Sequence, residues 1–116
     1  MIADLNDDKR LDIYVANDTT NNFLYLGQGN GVFQESGMTS GVALDGNGAP
    51  NGSMGIALFD FNKDLKPDLW VTNFENETIA AYQNAGNGVF GWASDRLGLG
   101  AIGRSFVSFG TVAGDF

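Results

Sequence analysis

Hydrophobic and polar residues along this chain alternate in short runs rather than at helical spacing. Leu11, Ile13 and Val15 alternate with Asp12, Tyr14 and Ala16, a period of two that predicts a strand with one face in a core. Leu69 and Val71 against Trp70 and Thr72 show the same pattern. Phe23 to Leu26 and Thr78 to Gln83 read as the next strand of each set, and Val32-Phe33 and Val89-Phe90 open another. Met54 to Phe59, and Phe106 to Ala113, read as leading strands. Gly29-Asn30-Gly31 and Gly86-Asn87-Gly88 supply residues that tolerate positive φ, as tight hairpins require. Ser94 to Gly103 is the place for a helical turn, and Gly41 to Gly52 reads as a long surface loop.

These elements recur in order. Asp4-Leu-Asn-Asp-Asp-Lys-Arg-Leu-Asp12 followed by Ile13-Tyr-Val-Ala-Asn17 returns, 56 residues on, as Asp60-Phe-Asn-Lys-Asp-Leu-Lys-Pro-Asp68 followed by Leu69-Trp-Val-Thr-Asn73. Gly29-Asn-Gly-Val-Phe33 returns as Gly86-Asn-Gly-Val-Phe90, and Ser53-Met-Gly55 is echoed by Ser108-Phe-Gly110. Three anchors at nearly one period make a tandem repeat. The first unit is 1–59 and the second 60–116, the latter including a leading strand of a third and a further acidic loop opening at Asp115. Glu75 to Ala85 with Gly86 behind it has the look of a short capped helix, but the repeat sets it opposite Phe23 to Leu26 and predicts a strand. The fold class is therefore all-β, made of tandem four-stranded units.

Composition narrows the chemistry. Apolar residues make up 43% of the chain and charged residues 17%, with 17 glycines, which describes a folded, turn-rich protein. The net charge of −8 argues against a nucleic-acid partner. No run is long and apolar enough for membrane insertion, and Met1 to Asp8 has no apolar signal core. With no cysteine and no histidine, disulfides, thiolate zinc sites and imidazole bases are excluded. The paired carboxylates occur only as the repeated loops, which points to metal rather than to acid–base catalysis.

Each acidic loop has the form D-x-N-x-D-x-x-x-D. Calcium takes six to eight oxygen ligands, and oxygens at alternate positions can wrap it. Asp4, Asn6 and Asp8 would supply side chains, Arg10 a backbone carbonyl, and Asp12 would close the shell. Asp60, Asn62, Asp64, the carbonyl of Lys66 and Asp68 would do the same in the second unit. Three carboxylates so close should need a cation between them. A helix-loop-helix calcium site closes with an acid at position twelve, where Val15 and Val71 stand here, both read as core-facing strand residues on the face shared with Leu11 and Ile13 or with Leu69. The bland alternative is an Asx-rich turn that binds nothing. Lys9 and Leu65 occupy the sixth position, where calcium loops favour glycine, which lowers the expected affinity.

This motif set resembles the FG-GAP or VCBS repeat family over Asp4 to Phe116, and is most similar to bacterial relatives of cartilage acidic protein. The resemblance implies blades of a β-propeller, as in integrin α-subunit heads, with calcium in the loop between a blade's first two strands. It also implies a secreted location, cell-surface or periplasmic, and adhesion or binding of a protein or carbohydrate ligand rather than catalysis. A closed propeller needs several more blades. One expectation is that this is a piece of a longer chain whose first unit lacks its leading strand. Another is self-association by strand exchange, Phe106 to Ala113 pairing with Asp12 to Ala16 of a neighbour, which would make a structural subunit of a fibre or scaffold.

Three sequons begin at Asn17, Asn51 and Asn76 and are candidate glycosylation sites. Unmodified asparagine is the plainer reading, and Asn17, which aligns with Asn73, also suits a strand-end turn. Trp70, Trp92, Tyr14 and Tyr25 could form a sugar-stacking platform or fill inter-blade packing.

Overall fold

A computed structural model describes residues 1–114. It contains two four-stranded antiparallel sheets that follow one another along the chain. The first consists of β1 (Ile2–Ala3), β2 (Asp12–Val15), β3 (Phe23–Gly29) and β4 (Val32–Glu35). The second consists of β5 (Ile56–Phe59), β6 (Asp68–Val71), β7 (Ala80–Gly86) and β8 (Val89–Trp92). Each sheet is ordered as in the sequence, so every connection is a hairpin. A four-residue helix, α1 (Gly37–Ser40), follows the first sheet, and two short 3-10 turns, Leu99–Ala101 and Gly103–Ser105, follow the second.

The two sheets are copies down to the backbone. Ile13 pairs with Tyr25 as Leu69 pairs with Tyr82. Register shifts fall between Gly27 and Gly29 in β3, and between Asn84 and Gly86 in β7. All eight described non-glycine residues with positive φ form repeat pairs: Asp7 with Lys63, Lys9 with Leu65, Thr19 with Asn76, and Asn30 with Asn87.

The core lies between the sheets. Tyr14 and Leu24 on the first pack against Leu69, Val71, Ala80, Tyr82 and Phe90 on the second, with Leu5 and Val42 completing the cluster. The alternation in β2 was expected to bury the Leu11, Ile13 and Val15 face. Instead Leu11 is 63% exposed, while Asp12 and Tyr14 are fully buried. The reason is the stacking of blades. The equivalent face of β6, Leu69 and Val71, is covered by the first blade, whereas Ile13 and Val15 face away from the second. A smaller cluster of Ala81, Ala93 and Leu99, with Phe61, Trp70 and Ile79 against it, covers the other face of the second sheet.

Polar groups also join the blades. Asn22 Nδ2 donates to Ser53 Oγ at 3.1 Å, and that hydroxyl donates to Asn73 Oδ1 at 3.0 Å, all three residues being buried. The hydroxyls of Tyr14 and Tyr82 donate to the carbonyls of Val42 and Leu44, at 3.1 and 3.0 Å. They hold down the segment expected to be a surface loop, in which Val42 and Ala43 are buried.

Two other expectations need correction. The first unit does have a leading strand, two residues long: Ile2 pairs with Ile13 and Ala3 with Asp12. Met1 also exchanges backbone hydrogen bonds with Tyr14. The edge of β2 expected to receive a neighbour's strand is thus already paired over Asp12 to Tyr14. Phe106 to Ala113 forms no strand among the described residues. Both described leading strands pair with a strand that follows an acidic loop, and for this segment that loop would open at Asp115, outside the described residues.

Candidate metal centre

Each acidic loop joins a leading strand to the next, β1 to β2 and β5 to β6, and closes on itself through its own carboxylates. Asp4 accepts the N–H of Asp8 (3.2 Å) and of Lys9 (2.8 Å). Asp60 accepts those of Asp64 (3.0 Å) and Leu65 (2.7 Å). Asn6 Oδ1 accepts the Asp8 N–H and Asn62 Oδ1 the Asp64 N–H, both at 3.1 Å. Asp8 accepts the Arg10 N–H at 2.9 Å, and Asp64 the Lys66 N–H at 3.0 Å. This succession of N–H groups turned inward needs left-handed backbone at the fourth and sixth positions. Asp7 and Lys63 take φ of 62° and 63°, and Lys9 and Leu65 take 67° and 68°.

The closing acids lie deeper. Asp12 and Asp68 are fully buried. Asp12 accepts the N–H of Leu5 at 2.8 Å and of Gly27 at 2.9 Å. Asp68 accepts those of Phe61 at 3.1 Å and Asn84 at 2.8 Å. Each therefore ties its loop to the third strand of its own sheet, a bracing role that the sequence pattern does not disclose. Burial raises the Asp68 carboxyl above its ordinary range, and the charges of Asp64 and Asp60 add to the rise despite its two N–H donors.

Asp8 and Asp64 face outward and carry the loops' own cations. The Arg10 guanidinium lies 3.0 Å from Asp8, and the Lys66 ammonium 3.3 Å from Asp64. Asn62 and Lys66 hold the Asp64 carboxyl below its usual range against a desolvation cost. At Asp8 desolvation is the largest single influence and pushes upward, but the hydrogen bonds from Arg10 and Asn6 together outweigh it, so this carboxyl is lowered too. Arg10 and Lys66, expected to contribute only carbonyls, thus also turn their side chains onto the site.

The crowding expected to demand a cation is relieved within the chain. Among the described residues no three acidic groups converge closely enough to hold an ion, and backbone N–H groups, Arg10 and Lys66 bond the carboxylates. The donor set still fits a hard divalent cation, since Asp4, Asn6, Asp8 and Asp12, with Asp60, Asn62, Asp64 and Asp68, offer only oxygen. Arg10 and Lys66 side chains are 49% and 43% exposed, so both are free to swing away. The two loops agree bond for bond, the widest differences being 2.8 against 3.1 Å at the closing acids and 3.0 against 3.3 Å at the ion pairs.

The remaining candidates are dispersed. Tyr14 is buried between the sheets, Tyr25 lies tilted against Phe23, Trp70 packs on Phe59, and Trp92 meets Tyr82 edge-on. Tyr14 and Trp92 belong to the inter-sheet cluster, Trp70 to the cluster on the other face of the second sheet, and Tyr25 pairs with Ile13 in the first, so the four form no shared sugar platform. The Asn17 amide donates to the Asn21 carbonyl and the Asn73 amide to the Thr78 carbonyl, both at 2.7 Å, closing the same turn in each repeat. Asn51 is half-buried, and Asn76 is exposed on a turn. Sequence reasoning missed Asn84, whose amide donates to the carbonyls of Leu5 and Pro67, both at 3.0 Å. It stands where the first repeat has Gly27, so no recurring pattern signals it.

The family model for the FG-GAP-like repeat matches residues 4–71, from the first acidic loop through the second and into β6. No match to a curated protein accompanies it.

Proposed function

The chain belongs to the FG-GAP-like repeat family, and on that premise we propose that it is a calcium-stabilised binding module of the propeller type. The first ion would be held by Asp4, Asn6, Asp8 and Asp12 with the Arg10 carbonyl. The second would be held by Asp60, Asn62, Asp64 and Asp68 with the Lys66 carbonyl. A bound cation supplies charge that offsets the loop carboxylates, a part that Arg10 and Lys66 fill in its absence. The chain's own contribution is rigid placement: left-handed turns aim the oxygens, and the buried acids tie each loop to its sheet.

The observation that carries this reading is the duplication of an oxygen-only loop with one hydrogen-bond pattern. The same carboxylates close each turn in the absence of an ion, and both copies hold them in one register from which they can also meet a cation. The module works outside the cell or at its surface, where calcium is abundant enough for weak loops. It presents its outward surfaces to a protein or carbohydrate ligand and performs no catalysis. Thermal melting with calcium and with chelator tests the reading. Calcium at a hundredfold excess over Kd adds about 2.7 kcal/mol per site, a rise on the order of 10 °C. Identical melts would refute it.

A further inference from the structure

We propose that Asn84 couples the two acidic loops, so that calcium in one strengthens binding in the other; the inference rests on the calcium reading above. Asn84 lies in β7, distant in sequence from the first loop, yet touches both. Its amide donates to the carbonyl of Leu5, the second residue of the first loop. The same nitrogen donates to the carbonyl of Pro67, next to the acid that closes the second. Its backbone N–H donates to Asp68 itself at 2.8 Å, and its Oδ1 accepts the Gly86 N–H at 2.8 Å. The residue is 3% exposed.

Leu5 is the point through which the first loop can be moved. Its N–H is held by Asp12, its carbonyl by Asn84, and its side chain is buried in the inter-blade core. Asn6 follows directly, and the planar peptide between them fixes where that ligand begins. Any shift of Asp68 on binding at the second loop reaches Asn84 through its N–H, and Leu5 through its amide. Packing supports the same path: a Cβ built on Gly88, in the β7–β8 turn, would lie 3.5 Å from Asn6 Cβ. The two loops also share a cleft of about 360 Å³, lined by Asp4, Asn6, Lys66, Pro67 and Asn84 among others.

The chain contains its own control. Gly27, the repeat equivalent, makes the same N–H bond to its closing acid but has no side chain to reach another loop. Its strand carries the same register shift, so glycine is compatible with this position. Asn84→Gly therefore removes the bridge while the strand geometry has a precedent in β3.

The test is a calcium titration of the full chain followed by amide resonances, Asp8 and Arg10 reporting the first loop and Asp64 and Lys66 the second. It is run with Asn84 and with Asn84→Gly, each with and without Asp64→Ala. With Asn84 present, Asp64→Ala should weaken calcium at the first loop about fivefold, the low end of typical coupling. In Asn84→Gly the same substitution should leave the first loop unchanged. A purely structural role for Asn84 would lower affinities without altering this ratio. Equal weakening in both backgrounds, or none in either, overturns the proposal. Asn84→Ala should behave as Asn84→Gly, and contrary behaviour also counts against the bridge. Two loops that bind independently sink the coupling alone, whereas no binding at either loop sinks the calcium reading with it.

Discussion

Gly55 and Gly110 stand at the same position of successive repeats and lie against each other: a Cβ built on Gly55 would fall 3.0 Å from the Gly110 Cα. That Cβ would also meet Thr72 Oγ1 at 2.6 Å, the atom that accepts the Gly55 N–H at 3.0 Å. The contact brings Gly110 to Gly114 alongside β5 although it makes no ladder there. Thr111, Val112 and Ala113 face Leu58, Phe59 and Trp70 across a pocket. Gly55→Ala should therefore cost about 1–3 kcal/mol through overpacking. It should also speed amide exchange at Gly55 and Thr72, whose N–H groups bond Thr72 Oγ1 and the Gly55 carbonyl, which hydrogen exchange reads directly.

The sixth loop positions store backbone strain. Leu65 is 93% exposed and sits at φ 68°, so a glycine there loses no packing and relieves a left-handed residue. Leu65→Gly, and Lys9→Gly in the first loop, should each stabilise the calcium-free chain by about 0.5–1 kcal/mol, the strain relief exceeding the added unfolded-state entropy. Urea denaturation with chelator present measures this. A loss of stability would mean that the turns are shaped by something other than local φ preference.

Inner and outer acids should separate by phenotype. Asp12→Ala strands two buried N–H groups, on Leu5 and Gly27, and should cost about 2–4 kcal/mol without any calcium. Asp8→Ala removes a solvent-exposed ion pair and should leave stability nearly unchanged, while abolishing calcium binding at the first loop. Parallel denaturation and calcium titration of the two variants distinguish bracing from ligation.

The buried tyrosines predict an alkaline transition. Burial raises the Tyr14 phenol well above its ordinary value of 10.0, and burial also raises Tyr82. Both raised values mean that the folded chain keeps protons which the unfolded chain releases. Their stabilising effect is complete below the unfolded value and declines as pH climbs past about 10. Stability measured from pH 8 to about 11 should fall along this limb, and less steeply in Tyr14→Phe. Tyr14→Phe should itself cost about 1 kcal/mol at neutral pH, since the Val42 carbonyl loses its donor.

Much of the fold is legible in the chain because the repeat is written in residues with narrow conformational choices. Asn30-Gly31 and Asn87-Gly88 mark hairpins since few other pairs accept left-handed backbone, and both hairpins form. The acidic spacing likewise identified both loops. The buried face of β2 was misread because alternation alone cannot tell which side meets a neighbouring blade, and Asp12 is buried by backbone donors rather than by apolarity. Asp7 and Lys63 look like ordinary loop residues, and nothing in their type discloses φ near 60°. Asn84 was invisible for a further reason: its partner Leu5 is 79 positions away, beyond any local pattern.

Calorimetric titration of calcium into the chelator-stripped chain bears most directly on whether the twinned loops are ion sites. Two ions per chain are expected, reduced to one by either Asp8→Ala or Asp64→Ala. Absence of heat and of saturable uptake at millimolar calcium, with the protein folded throughout, would leave them as Asx turns closed by Arg10 and Lys66.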